Sequence, residues 1–206
     1  MLEGVFHLGH ASIKIQKKLI IYVDPFNIKD SANDADLIFC THSHYDHLSI
    51  QDIRKILKTS TTIIVPKESE DKVKELGLKV ITVEPDHQYT ASSISFTTTY
   101  AYNIGKQFHP KEKKWVGYII NVDNIKYYIA GDTDSVPEIQ NLNVDVAFLP
   151  VGGTYTMNWK EAAMLANRLK PKYAIPIHFG DVVGSISDAK SFVEQIQMPT
   201  EGKILR

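Results

Sequence analysis

Six consecutive positions, His42-Ser43-His44-Tyr45-Asp46-His47, carry three of the chain's eight histidines and a carboxylate. They follow the apolar run Leu37-Ile38-Phe39-Cys40 and precede Leu48 and Ser49, a serine placed to cap a helix. Such a segment is a loop that leaves a buried strand and enters a helix, so any fold the chain adopts must be organised around that unit. In extended backbone alternate side chains share a side, so His42, His44 and Asp46 converge while His47 points differently. That arrangement suits two adjacent metal ions better than one. Neutral imidazole and carboxylate are ordinary ligands of zinc, manganese, nickel or iron, and a carboxylate also bridges two ions. A polar loop of merely solvated histidines leaves the spacing without a reason.

The rest of the chain alternates strand and helix patterns. Residues 5–8, 12–15 and 19–23 read as short strands, separated by Gly9-His10 and by Gln16-Lys17-Lys18. Ser49 and Asp52 give a capping-type start to a helix with Ile50, Ile53, Ile56 and Leu57 on one face. A strand over 61–65, a helix over 68–76 stopped by Gly77, and strands over 78–83 and 93–99 follow. Residues 116–122 and 126–130 form a hairpin about Asp123-Asn124, and 144–149 is a strand ending at Pro150. Asn158 with Glu161 caps a helix that ends before Pro171, residues 173–177 form a strand, and a last helix covers 187–196. This alternation argues an α/β fold. A length of 206 residues fits one domain, residues 1–206.

Bulk properties remove several classes of function. A net charge of -1 gives no case for nucleic acid as a generic partner. No apolar run approaches the roughly 20 residues of a membrane span, and Met1-Leu2-Glu3-Gly4 does not resemble a signal peptide, so a cytoplasmic location is the default expectation. The single Cys40 cannot form an internal disulfide and sits in a strand, where it reads as core. A small-molecule substrate is expected, with no membrane partner and with a homo-oligomer possible.

With the histidine run as hallmark, the sequence resembles the metallo-β-lactamase superfamily. Asp24 in Val23-Asp24-Pro25, Asp132 in Gly131-Asp132-Thr133-Asp134 and His178 in Pro176-Ile177-His178 match the companion motifs in order. Gly9-His10-Ala11-Ser12 and Leu149-Pro150-Val151-Gly152-Gly153 look like the branch that includes L-ascorbate-6-phosphate lactonase. The resemblance implies a four-layer αββα sandwich with metals held by loops along one edge. It assigns His42 and His44 to a first ion, Asp46, His47 and His178 to a second, and Asp132 to both. Asp24 would orient a ligand histidine or the backbone of the motif, and His10 would lie at the rim of the site. The superfamily usually has one more histidine near Tyr102-Asn103, where this chain has none; fewer ligands, or a group such as His109 or His10, would account for the difference.

Residues 106–114 form the densest basic run, so Lys111 and His109 are expected to bind an anionic substrate group such as a phosphate, with Tyr102 and Asn103 nearby. The implied reaction is metal-dependent hydrolysis of an ester-type bond, a phosphodiester or a lactone, by a hydroxide held between the ions, with Asp46 as general base. Three alternatives use the same ligands: an iron-dependent oxidoreductase, a non-catalytic metal- or nucleotide-binding module, and a nuclease, the last disfavoured by charge.

Overall fold

The computed structural model describes residues 1–205. β1 (Val5–Gly9), β2 (Ser12–Gln16) and β3 (Ile20–Val23) form an antiparallel meander, which β4 (Ala35–Phe39), β5 (Leu57–Pro66) and β6 (Lys79–Val83) extend in parallel into a six-stranded sheet. In the second sheet β7 (Gln88–Ala91), β8 (Ile94–Tyr100), β9 (Val116–Val122) and β10 (Ile125–Ile129) are antiparallel. β11 (Val146–Pro150), β12 (Tyr173–Ile177) and β13 (Glu201–Gly202) add to β10 in parallel, giving seven strands. The helices are α1 (Ile50–Ile56), α2 (Glu70–Val73), α3 (Trp159–Leu169) and α4 (Ile186–Glu194).

The central strands of both sheets are buried on both faces, and their period-2 pattern assigns their residues to layers. On β4, Leu37 and Phe39 face the opposite sheet, while Ile38 packs with Ile53 and Ile56 of α1. On β11, Val146 and Phe148 face inward, while Ala147 and Leu149 pack with Ala162, Leu165 and Ala166 of α3. The layers are therefore helix, sheet, sheet, helix, the αββα sandwich of the metallo-β-lactamase fold. Phe39, Phe96 and Tyr118 meet edge to face at the centre, with Phe39 5.0 Å from each of the other two rings. Truncating such a buried ring costs about 3–5 kcal/mol.

The ends of α3 were encoded locally. Asn158 Oδ1 accepts from Lys160 N–H at 2.9 Å and Glu161 N–H at 3.1 Å, and Glu161 Oε2 accepts from Asn158 N–H at 2.9 Å. That reciprocal cap contributes about 1 kcal/mol. The helix expected over 68–76 is instead one turn, α2, between 3₁₀ turns at Lys67–Ser69 and Lys74–Leu76. Val73 is the one fully buried side chain of α2, too little apolar surface to hold a longer helix. β7 and β13 were not expected: the first buries little besides Ala91 and the second has two residues, so neither carries an alternating signal. No helix among the described residues is long and apolar enough to cross a membrane.

The topology positions the site. β3, β4, β10 and β12 all belong to parallel runs, and their C-terminal ends open on one edge of the sandwich, where α/β sheets place ligands. Val116 N–H donates to Thr41 carbonyl oxygen at 3.1 Å, joining the two sheets at that edge. Gly131 lies at this junction with φ +67°, and a Cβ there would sit 3.1 Å from Thr41 Cβ and 3.0 Å from Val116 O. The closeness of the two loops thus requires glycine.

Candidate metal centre

Each strand end delivers one part of the centre. The turn after β1 carries His10, β3 ends at Asp24, β4 leads into His42–His47, the β8–β9 connection carries His109, β10 leads to Asp132, and β12 ends at His178. Three of these residues, His10, Asp24 and His178, hold left-handed backbone with φ of 47°, 47° and 60°. Such conformations cost about 1–3 kcal/mol for a non-glycine residue and persist where surrounding bonds over-determine them. Here they do: His178 N–H donates to His10 O at 2.6 Å, and Asp24 N–H donates to Phe39 O at 2.8 Å. Ser12 Oγ donates to Asp24 O at 2.5 Å and accepts from Phe26 N–H at 2.7 Å.

Asp24 braces the histidine run from behind. Its Oδ1 accepts from Thr41 N–H at 2.7 Å, and its Oδ2 accepts from Thr41 hydroxyl at 2.7 Å and from His47 Nδ1–H at 2.8 Å. Because Thr41 gives its only proton to Asp24, its oxygen accepts from His42 Nδ1–H at 3.0 Å. His42 and His47 are thereby fixed in the tautomer whose Nε2 lone pair points away from Asp24. Asn103 does the same for His109, its Oδ1 accepting from Nδ1–H at 2.9 Å while its Nδ2 donates to Tyr155 O at 2.9 Å.

The freed lone pairs converge. His42, His44 and His109 form one group, and His10, Asp46, His47 and His178 a second, with the donor atoms inside each group within 4.8 Å of one another. Asp132 lies between them: its Oδ2 is 3.0 Å from His178 Nε2, 3.3 Å from His109 Nε2 and 4.0 Å from His42 Nε2, and its Oδ1 is 3.3 Å from His47 Nε2. His42 Nε2 and His44 Nδ1 stand 3.0 Å apart. Two nitrogens each about 2.1 Å from one ion are separated by roughly that much. His47 Nε2, His109 Nε2, His178 Nε2 and Asp132 Oδ1 are buried with no hydrogen-bond partner. Buried polar atoms without partners are costly, and four aimed at one volume fit cations there.

The electrostatics differ between the groups. Burial pushes His42 well below the ordinary imidazole value, and the neighbouring His47 adds to that. His47 moves the other way: burial opposes its charge, but Asp132 and Asp24 outweigh burial and hold it well above. Asp132 is disfavoured as an anion by burial, yet the His178 and His47 imidazoles keep it well below the usual carboxylate range.

The positions of the expected residues are mixed. His42, His44, Asp46, His47, Asp132 and His178 come together as described. His109, expected beside Lys111 against an anionic group, lies with His42 and His44, where an imidazole could take the place of the one absent from Tyr102-Asn103. Asn103 holds His109 rather than facing substrate. Tyr102 is turned into the core of the second sheet, its hydroxyl donating to Glu138 Oε2 at 2.9 Å. Lys111 gives no anion site: its Nζ pairs with Glu138 Oε1 at 2.6 Å and lies 4.8 Å over the Tyr102 ring. His10 is fully buried rather than at the rim, its Nε2–H donating to Asp46 Oδ2 at 3.0 Å. Asn27, Ile28, Lys29, Asp30 and Ala32 line a separate hollow with His7, Lys14 and Tyr22.

Several residues escaped the sequence reading. Trp115 packs 4.8 Å from the His42 and His44 rings and 5.5 Å from His109, its Nε1–H donating to Glu68 Oε1 at 2.5 Å. Lys106 reaches Asp134 Oδ1 at 2.6 Å and Thr156 O at 2.7 Å, tying the His109 loop to the Asp132 loop. The mouth is a cleft of about 220 Å³ lined by His44, Tyr45, Asp46, Phe108, His109, Asp132, Tyr155 and Val182. Phe108 gave the one available signal, an apolar residue inside a basic loop.

Residues 5–178 match the model of the Beta-lactamase superfamily domain. A Pyrococcus horikoshii protein named a UPF0173 metal-dependent hydrolase is 30% identical across 97% of this chain and 94% of its own length. The chain belongs to this family. A crystal structure from Parabacteroides distasonis superposes with a TM-score of 0.83 at 31% identity, covering 98% of this chain and 91% of that one. CmlA, a diiron β-hydroxylase from Streptomyces venezuelae, has a TM-score of 0.76 at 14% identity over 98% of this chain and 52% of its own. At that identity the likeness is one of fold alone. Within the family, the arrangement of Asp132 between two imidazole groups is what the metal-dependent members' name leads one to look for.

Proposed function

We propose that this UPF0173 protein is a hydrolase that uses two divalent ions, drawn from zinc, manganese, nickel or iron, to open an ester-type bond such as a lactone or phosphodiester. The observation that carries the reading is the convergence of partnerless buried lone pairs from His47, His109 and His178 on Asp132. His42, His44 and His109 would hold one ion, and Asp46, His47 and His178 the other, with Asp132 shared. Bound ions supply a water acidified toward neutral pH and Lewis acidity for the oxygen that gains charge.

The protein's own groups do the rest. Asp46 lines the cleft and is the acidic group placed to take a proton from the attacking water and return it to the leaving oxygen. His10 holds Asp46 in place through the 3.0 Å bond and does not reach the cleft. The resemblance of Gly9-His10-Ala11-Ser12 to a lactonase branch supports a carbonyl ester over a phosphate ester, and the loss of Lys111 as an anion site agrees. Metal-loaded protein assayed against lactones and phosphodiesters tests the reading. Turnover is expected, and Asp46→Ala is expected to abolish it; full activity in that variant contradicts the scheme. Oxygen-dependent turnover of iron-loaded protein would indicate a redox enzyme instead, and tight binding without product a sensor.

A further inference from the structure

The cleft mouth is apolar and carries no cation. Its imidazole and carboxylate lining groups are His44, Asp46, His109 and Asp132, all members of the proposed ion groups. The remaining lining is Tyr45, Phe108, Tyr155 and Val182. Tyr45, Phe108 and Val182 are 67%, 47% and 38% exposed, a concentration of exposed apolar side chains around one opening. Phe108 and Tyr155 are not loose: their rings meet edge to face at 4.6 Å, and Tyr155 O accepts from Asn103 Nδ2 at 2.9 Å. The rim is thus braced by the same bonds that orient His109. Tyr45 is likewise held, 5.8 Å edge to face from Phe26. Two lysines of the Phe108 loop are engaged elsewhere, Lys106 with Asp134 and Lys111 with Glu138. A phosphorylated substrate would bring charge to a mouth with no fixed cation to receive it beyond the ions themselves.

We infer that the Phe108–Tyr155 edge, with Tyr45 and Val182 of the same cleft, is an acyl-group subsite that selects uncharged esters or lactones bearing a small aromatic or branched apolar group. The inference rests on the hydrolase reading and names its substrate class. A flat apolar group lies against the Phe108 and Tyr155 rings, which directs the carbonyl carbon toward Asp46 and Asp132. Water then bonds to that carbon and yields a proton to Asp46. The C–O bond to the alcohol breaks, its electron pair stays on the alcohol oxygen, and that oxygen takes the proton. An acid and an alcohol leave.

The test uses manganese-loaded protein with p-nitrophenyl phenylacetate, p-nitrophenyl acetate and bis(p-nitrophenyl) phosphate, which share a leaving group. The phenylacetyl ester is expected to have the highest kcat/KM. Phe108→Ala and Tyr155→Ala should each lower the phenylacetyl-to-acetyl ratio about tenfold or more, the scale of losing a shaped apolar contact. Ile104→Ala, on the same loop but outside the cleft, should leave the ratio unchanged. Calorimetric binding of phenylacetohydroxamate against acetohydroxamate gives a reading independent of turnover, with the aryl ligand expected to bind about tenfold tighter and Phe108→Ala to erase the difference. Preference for the phosphodiester, or equal losses on both acyl esters in the variants, overturns the subsite while leaving the hydrolase reading intact. Aryl-selective binding with no ester cleaved overturns the hydrolase reading and keeps the subsite.

Discussion

The two proposed ion positions are assembled by different means. At the one formed by Asp46, His47 and His178, every side chain is buried; Asp24 fixes His47 and His10 fixes Asp46. At the other, His44 is only half-buried, and His109 arrives on the long β8–β9 connection, held by Asn103 and the Lys106–Asp134 pair. One position is therefore built into strand ends, and the other depends on a loop that also carries the substrate-facing Phe108. On the two-ion reading, metal retention belongs to the braced position, and coupling between metal and substrate to the loop.

Removing the shared carboxylate erases the distinction and has the largest expected effect. Asp132→Ala should lower turnover roughly 10³-fold or more, the scale of losing a central electrostatic group. Metal analysis of that variant should find both positions depleted. Retention of two full equivalents would mean that Asp132 does not bridge.

The next test sets one position against the other. His109→Ala should release one equivalent of metal and keep the second, because Asp46, His47 and His178 are untouched. Stepwise chelation followed by elemental analysis reads the order directly. Loss of both ions together would make the centre one unit and remove the proposed asymmetry.

Asp24→Asn probes the bracing. It leaves the size of the side chain but weakens acceptance from His47 Nδ1–H and Thr41. Affinity for one ion should fall about 10–100-fold, the usual effect of losing a carboxylate behind a ligand histidine. Asn103→Ala is the counterpart for the loop position, with an expected loss near the lower end, about tenfold, since a neutral amide orients less strongly.

Protons give the smallest and sharpest contrast. In the metal-free protein Asp132 and Asp24, against burial, hold His47 well above the ordinary imidazole value, whereas burial pushes His42 well below it. Binding at the His47 position requires the neutral imidazole, so its affinity should rise about tenfold per pH unit below the folded pKa, while His42, shifted the other way, adds no such dependence. The sign follows from the raised value: the imidazolium and its carboxylates stabilise the metal-free fold fully below the ordinary value of 6.5, and this contribution is lost as pH rises through the folded pKa. Titrations in buffers of different ionisation enthalpy would measure about one proton for the braced position and none attributable to His42.

The same division explains what could be read from the sequence. The braced position is dense in local signal: Asp46 and His47 within the histidine run, the Asp24-Pro25 strand end and His178 after an apolar strand, and the run also shows His42 and His44 of the other position. The order of strands and helices was readable for the same reason, since β4 and β11 alternate inward and outward residues and α3 carries both halves of its cap. His109 was visible as one member of a basic run and as one of two candidates, with His10, to replace the missing histidine; nothing in spacing chose between them, because it does not show that the β8–β9 connection folds back to His42. Lys111 misled for the complementary reason: its partner, Glu138, lies 27 residues away, and a long-range ion pair leaves no trace in composition. The rim formed by Tyr45, Phe108, Tyr155 and Val182 is assembled from four separate loops, so no local pattern announces it.

Anomalous diffraction from crystals grown with manganese tests the central claim most directly. Two peaks are expected, one within ligand reach of His42, His44 and His109, the other of Asp46, His47 and His178, with Asp132 between them. Peaks at any other place, or none where the partnerless nitrogens converge, would contradict it.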